Sequence, residues 1–337
     1  MRKDDPEARS IASRWRDFWF APDTPDNLAF CRILFFGSLL LFYGLLPRFG
    51  DFSAWGGVSN ALWQPIFLFR ALRIPVFHSE IIAILQGIWM TALAMSCVGL
   101  LTRLSTATSL ILGFYLLGLP HSFGKIHHYD GLLVLAFLVM ALSRCADRWS
   151  LDEIFVRQRR QSTRRLASCE YTWPVRAMWL IMSLVFCAAG IAKLRHSGLA
   201  WISSDSLQIW LIEHQYHVAN SDPLVSWGPY FATVPWLPKV LAATSIGLEL
   251  GYPLAMFSRR ARWIFVPGVA LMQLSIRFLL GPSFEQFMIC NLFWVRWNWV
   301  ADRIKALLRK ISGRGGSPLG GGHGEVDSDF ALEVSAD

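Results

Sequence analysis

The chain has 337 residues, 54% of them hydrophobic and only 17% charged, with a formal net charge of +8. Apolar runs of about 20 residues, repeated along the chain, exclude a water-soluble globular domain and point to a polytopic membrane protein. Sixteen tryptophans fit that class, because indoles favour the membrane interface. The partner this implies is the lipid bilayer, and no nucleic-acid partner is expected.

Residues 1–27 are polar and carry Arg2, Lys3, Arg9, Arg14 and Arg16. Trp15, Phe18, Trp19 and Phe20 predict a short helix on the membrane surface, ended by Pro22 and Pro25. No small-residue cleavage site follows, so the first span reads as a signal anchor. That span is expected over 28–46, with Arg32 about one turn in. Residues 48–78 read as a mixed surface loop. Spans two and three, 81–101 and 104–119, join tightly around Arg103. A polar loop holding His121, His127 and His128 leads into the fourth span, 129–143. The basic loop that follows contains Arg144, Arg148, Arg157, Arg159, Arg160, Arg164 and Arg165.

The fifth span covers 175–194 and ends near Lys193, preceded by Ala188, Ala189, Gly190 and Ala192. Small residues let a neighbouring helix approach closely. An amine held there among apolar groups can serve as a neutral base. The plainer alternative is a terminal lysine that snorkels to the headgroups. Residues 197–214 look amphipathic and are expected in the interface plane. The sixth span is 239–257, with Glu249 near its middle. SRRAR separates it from the seventh, 263–280, and Gly281 and Pro282 turn the chain into the eighth, 284–300. Residues 301–337 are basic, then Gly-rich and acidic, and read as a disordered tail after a transmembrane domain of residues 28–300.

Basic residues concentrate before the first span, at Arg103, in the loop after the fourth span, in SRRAR and from Arg296 onward. The positive-inside rule then gives an all-α bundle of about eight spans with both termini cytoplasmic. The cysteines fall in spans or on the cytoplasmic side, so no disulfide framework is expected.

This topology brings His121, His127, His128, Asp130, Lys193, Arg277 and Glu285 to one outer depth, as a site at the mouth of a bundle would require. Each has a plainer role open to it. Asp130 could cap the fourth span, and Arg277 could snorkel or pair with Glu285. Glu249, a carboxylate at mid-span, should be paired, neutral or functional, with Arg32 as one candidate partner. The paired histidines lack the companion ligands of a metal centre, so no metal is expected.

Four stretches resemble the HTTM family, the transmembrane domain shared with vitamin K-dependent gamma-carboxylases. They are NLAFCRILFFGSLLLFYG, HHYDGLLVLAFLVMALSRCADRWSLDEIF, FCAAGIAKLRHSGLAWISSDSLQIWL, and LELGYPLAMF with SFEQFMICNLF. The third, with its Ala-Gly-x-x-Lys-Leu helix end, is the most specific. The resemblance implies that Lys193 is the base acting on a reduced quinone, a vitamin K-like hydroquinone. It places the family's outer-loop histidine on His128, with His127, Asp130, Glu249 and Arg277 supporting the pocket. It also implies carboxylase (lyase) chemistry on a peptide or protein substrate. The sequence departs at Gln273, where many members show a histidine, and it is similar to stand-alone members that lack the carboxylases' lumenal domain. That similarity implies a location in a plasma (inner) membrane. Some of those are required for maturation of a secreted peptide toxin, so an accessory factor that binds a peptide or lipid is the second expectation. Transport is a third, resting on Glu249 alone.

Overall fold

A computed structural model describes residues 10–45, 51–124, 129–159, 166–216, 227–282 and 284–313. Among them every regular element is helical, and the only strand-like pairing is an isolated bridge between Asp23 and Ser168. The helices, in order, are α1 (Ile11–Phe20), α2 (Pro25–Leu40), α3 (Phe67–Ala71), α4 (Ser79–Val98), α5 (Thr102–His121), α6 (Tyr129–Leu142), α7 (Leu151–Arg159), α8 (Trp173–Ser197), α9 (Ala200–Ser203), α10 (Ser206–Tyr216), α11 (Gly228–Ala232), α12 (Leu237–Gly251), α13 (Leu254–Phe257), α14 (Arg259–Leu280), α15 (Glu285–Asn291) and α16 (Trp297–Gly313). Residues 1–297 form one compact unit and 298–337 a second.

Five segments are long and apolar enough to cross a membrane: Pro25–Leu45, Ser79–Val98, Thr102–His121, Cys169–Ser197 and Arg259–Leu280. They correspond to the first, second, third, fifth and seventh expected spans. The fourth appears as α6, only 14 residues long. The sixth is divided into α12 and the short α13, because Tyr252 and Pro253 interrupt the helix. The eighth is not one continuous helix either. It consists of the 7-residue α15, a 3-10 turn at Leu292–Trp294, and then the start of α16 after Val295 turns extended. The amphipathic α16 reaches Gly313, inside the stretch expected to be a disordered tail.

Local sequence sets many helix ends. Ser10 and Ser258 cap α1 and α14 through their side chains, and Pro25 opens α2 at its first helical position. The chain leaves α4 through Gly99, at φ 72°. There a side chain would be strained and would also strike Ser150, whose Cβ lies 2.4 Å from where a Cβ would stand. Beyond Leu40, α2 relaxes into a π-helical turn, Leu41–Leu45.

Rings fill the bundle core. Phe35 meets Phe137 edge to face at 5.4 Å, Phe137 also meets Trp89, and buried Phe36 and Phe293 close around Phe35. Trp89 keeps its indole N–H satisfied on the Ser109 carbonyl at 3.1 Å. Lipid tails are as apolar as these rings, so close packing and internal hydrogen bonds, rather than water exclusion, hold such helices together.

The Trp149–Asp152 stretch shows how. Asp152 accepts from the Leu101 and Thr102 amides at 2.8 and 2.7 Å and from the Thr102 hydroxyl at 2.8 Å, capping α5 from a distant part of the chain. Buried Arg32 donates to the Cys145 carbonyl at 2.9 Å and to the Trp149 carbonyl. Arg32 therefore does not pair with Glu249. Carbonyls left open where the chain leaves α6 attract the guanidinium instead. Asp26 ties the other side, accepting from the Trp149 indole at 2.8 Å and from Arg148 at 3.2 Å. That hydrogen bond to Asp26 pushes the Arg148 guanidinium above its ordinary pKa.

Candidate functional site

Lys193 lies in the last third of α8, and Glu249 in the last turn of α12. A carboxylate at a helix C-terminus faces the negative end of the macrodipole and needs a cation. Lys193 supplies it. Its Nζ lies 2.5 Å from Glu249 Oε1, in a pair whose side chains are 24% and 6% exposed. The small residues before Lys193 make this contact possible. A Cβ on Gly190 would stand 2.9 Å from the Leu250 side chain and 3.2 Å from Glu249 Cβ, so α8 and α12 meet almost backbone to backbone. The amine is therefore not isolated among apolar groups. Glu249 is not at mid-helix, because α12 ends two residues later, at Gly251.

The ion pair borders a cavity of about 690 Å³ lined by α10, α12 and α14, with Lys193 and Trp201 at its wall. Apart from Lys193, the lining is apolar or carries hydroxyls, as at Thr244, Ser245 and Ser275. The Lys193 ammonium also lies 5.3 Å from the Trp201 ring centroid. Trp201 in turn packs edge to face on Trp210 at 5.4 Å, and both rings line the cavity. Glu249 Oε2 and the Trp201 indole nitrogen are buried with no hydrogen-bond partner among the described residues. Residues 197–214 were expected flat on the membrane surface. Within that stretch α9 and α10 pack against α12 and turn Trp201, Leu207, Trp210 and Leu211 toward the cavity. Leu211 is buried by this packing, whereas Leu199, Ile209, Trp210 and Ile212 stay exposed.

The turn from α14 into α15 closes the other end. Arg277 donates to the Gly281 carbonyl at 2.8 Å, capping the end of α14. Phe284 lines the cavity and packs edge to face on Tyr129 at 5.7 Å. Next to Tyr129, Asp130 joins two partners rather than capping its own helix. His121 Nε2 lies 3.0 Å from one carboxylate oxygen, and Gln286 donates to the other at 3.0 Å. The His121 and Asp130 side chains are only 13% and 15% exposed. The sequence placed His121 in an outer loop, but α5 runs through Pro120 and includes it.

The structure thus joins Lys193 to Glu249 and Asp130 to His121, on either side of the cavity wall that contains Phe284. His127 and His128 lie outside the described residues. Arg277 reaches the backbone of the turn. The sequence placed His121 at the same depth as the other site residues but did not pair it with Asp130, and Gln286 was not singled out. A nine-residue separation across a helix end gives no periodic signal that would pair His121 with Asp130. Among the described residues, no three His, Cys, Asp or Glu side chains gather closely enough to hold a metal ion. No protein-family model matches the sequence, and neither a curated protein nor a solved structure matches it.

Proposed function

We propose that the chain is a multi-pass membrane enzyme of the HTTM type, in which Lys193 is the base acting on a lipophilic, quinone-type cofactor. The observation that carries this is the place of Lys193, among the described residues the one charged side chain on the wall of an otherwise mostly apolar cavity. Small-molecule sites commonly enclose about 300–1,000 Å³ and combine apolar walls with a few convergent polar groups. A cavity of about 690 Å³ suits an aromatic head with part of an isoprenoid tail. When bound, a hydroquinone would supply an acidic hydroxyl and reducing power toward O2. Trp201, Trp210 and Phe284 would hold such a ring and keep water away from Lys193.

Lys193 accepts a proton only as a neutral amine, and Glu249 makes that form accessible. Desolvation of both charges works against the ion-paired form and toward proton transfer within the pair. The 2.5 Å contact lets Glu249 hold the proton that Lys193 gives up. When the neutral Lys193 takes a proton from the substrate it becomes an ammonium, and Glu249 must pass its own proton on before a carboxylate stands alongside. His121 and Asp130, beyond Phe284 and Tyr129, form a second proton-handling pair, and His128 keeps its role as the polarising group in this proposal. A peptide or protein acceptor would complete carboxylase chemistry. We retain about eight crossings with both termini cytoplasmic, on the distribution of basic residues, and a plasma (inner) membrane, on the resemblance to stand-alone family members.

The Trp201–Trp210 pair supports a second reading, a non-catalytic maturation factor that binds a peptide or lipid in the same cavity. Purified protein in lipid nanodiscs, given reduced vitamin K, O2 and CO2, separates the two. The enzyme reading expects epoxide from the wild type and none from Lys193→Ala, with the hydroquinone still bound by both. Equal epoxide in both proteins, or binding without epoxide in either, would end the role of Lys193 as base. Loss of binding in Trp201→Ala and Trp210→Ala, with Lys193→Ala fully functional in the cell, would establish the binding factor instead.

A further inference from the structure

We propose a second binding site, independent of the cavity, for the phosphate of an anionic lipid where the start of α8 meets the start of α14. Arg176 lies 4.1 Å from the Trp179 ring centroid and 4.7 Å from that of Phe18. Arg262 lies 4.0 Å from the same Trp179 centroid and 5.6 Å from that of Trp294. One indole thus gathers two guanidinium groups. Arg296 adds a third charge that acts on both, and Arg259 a fourth that acts on Arg262.

Among the described residues, only Asp23 offsets any of this charge. None of the four arginines forms a salt bridge among the described residues, and the only carboxylate felt by Arg176 is that of Asp23. Arg262 spends Nε and Nη2 on the Ala255 and Met256 carbonyls at 3.1 and 3.5 Å, which fixes its plane. The first turn of α14 contains Arg259, Arg260 and Arg262 and no acidic residue. That inverts the usual preference, since the start of a helix already carries positive partial charge and favours anions. Like charges held together by aromatic rings, at a helix start, call for an anion from outside.

Guanidinium groups bind phosphate oxygens through paired, charge-assisted hydrogen bonds. The surroundings favour a phosphate that carries acyl chains. Phe257 and Trp263 are 67% and 71% exposed beside the arginines, and Phe18 of α1 packs on Phe257. Basic pockets between helices at the cytoplasmic face are suited to anionic headgroups, and the distribution of basic residues assigns this end to that face.

The test uses full-length protein, delipidated in a neutral detergent. Phosphatidylglycerol should raise the unfolding temperature and stay bound in native mass spectrometry, whereas phosphatidylcholine should do neither. Arg259→Gln with Arg296→Gln changes two exposed side chains outside the core. It should fold normally and weaken phosphatidylglycerol binding on the order of tenfold. Arg176→Gln, added to these, should remove the lipid-dependent shift. If inorganic phosphate stabilises as well as the lipid, and the same variants abolish that effect, the phosphate site stands with a soluble source. Equal stabilisation by phosphatidylcholine, or a phosphatidylglycerol shift untouched by the three substitutions, would overturn the proposal.

Discussion

Lys193 and Glu249 show how strongly one partner changes the meaning of a residue. Removing one member of a buried pair strands the other charge, which commonly costs about 3–5 kcal/mol, whereas replacing both with apolar residues is often neutral. Lys193 is partly exposed, which lowers the expected cost of losing Glu249 to about 2 kcal/mol. Lys193→Met strands the more buried carboxylate and should cost about 3 kcal/mol. The double variant Lys193→Met with Glu249→Leu should recover most of that loss. Chemical unfolding in detergent micelles measures all three. A double variant no more stable than the worse single one would mean that the two groups do not interact energetically.

At the scale of elements, two contacts set how helices meet. Asp152 caps α5 with three hydrogen bonds from outside its own helix. A lost N-cap costs about 0.5–2 kcal/mol, so Asp152→Ala should lower stability toward the upper end of that range. Its unfolding midpoint, compared with that of Asp152→Asn, checks this. Gly190 governs the approach of α8 to α12. Ala at this position meets the Leu250 side chain at 2.9 and 3.0 Å and Glu249 Cβ at 3.2 Å, so a small shift is required and the cost should be modest. Gly190→Leu must push the helices apart, at about 1–3 kcal/mol. It should also widen the Lys193–Glu249 contact and so impair any function of the cavity. Normal activity in Gly190→Leu would separate the pair from that function.

For the whole molecule, charge distribution and helix direction make a joint prediction. With both termini cytoplasmic, Ser59 and Thr233 lie outside, while Arg103 and Arg260 lie inside. All four are exposed. In a background lacking the six free cysteines, cysteine at Ser59 or Thr233 should react with a membrane-impermeant maleimide on intact cells. Cysteine at Arg103 or Arg260 should react only after lysis. Labelling of all four on intact cells, or the inverse pattern, would refute the arrangement.

The sequence alone was enough to establish a helical membrane protein, because backbone in lipid must satisfy itself and only long apolar runs do so helically. Spans such as 81–101 and 104–119 were legible to within a few residues of α4 and α5, since hydropathy and Gly99 are local signals. The break at Tyr252–Pro253 had a local signal in the proline, which lacks an N–H. Hydropathy averaged over a span masks it, as it masks the turn at Val295 within a tryptophan-rich stretch. Composition marked Lys193 and Glu249 as costly in a membrane, and small residues marked α8 as a close-packing helix. Only tertiary structure paired them, turned Trp201 and Trp210 onto a cavity, gave Arg32 to backbone carbonyls and brought His121 to Asp130. Those contacts join residues that no repeat or spacing relates. Hydropathy fixes how deep a residue sits, and packing decides which neighbour it meets there.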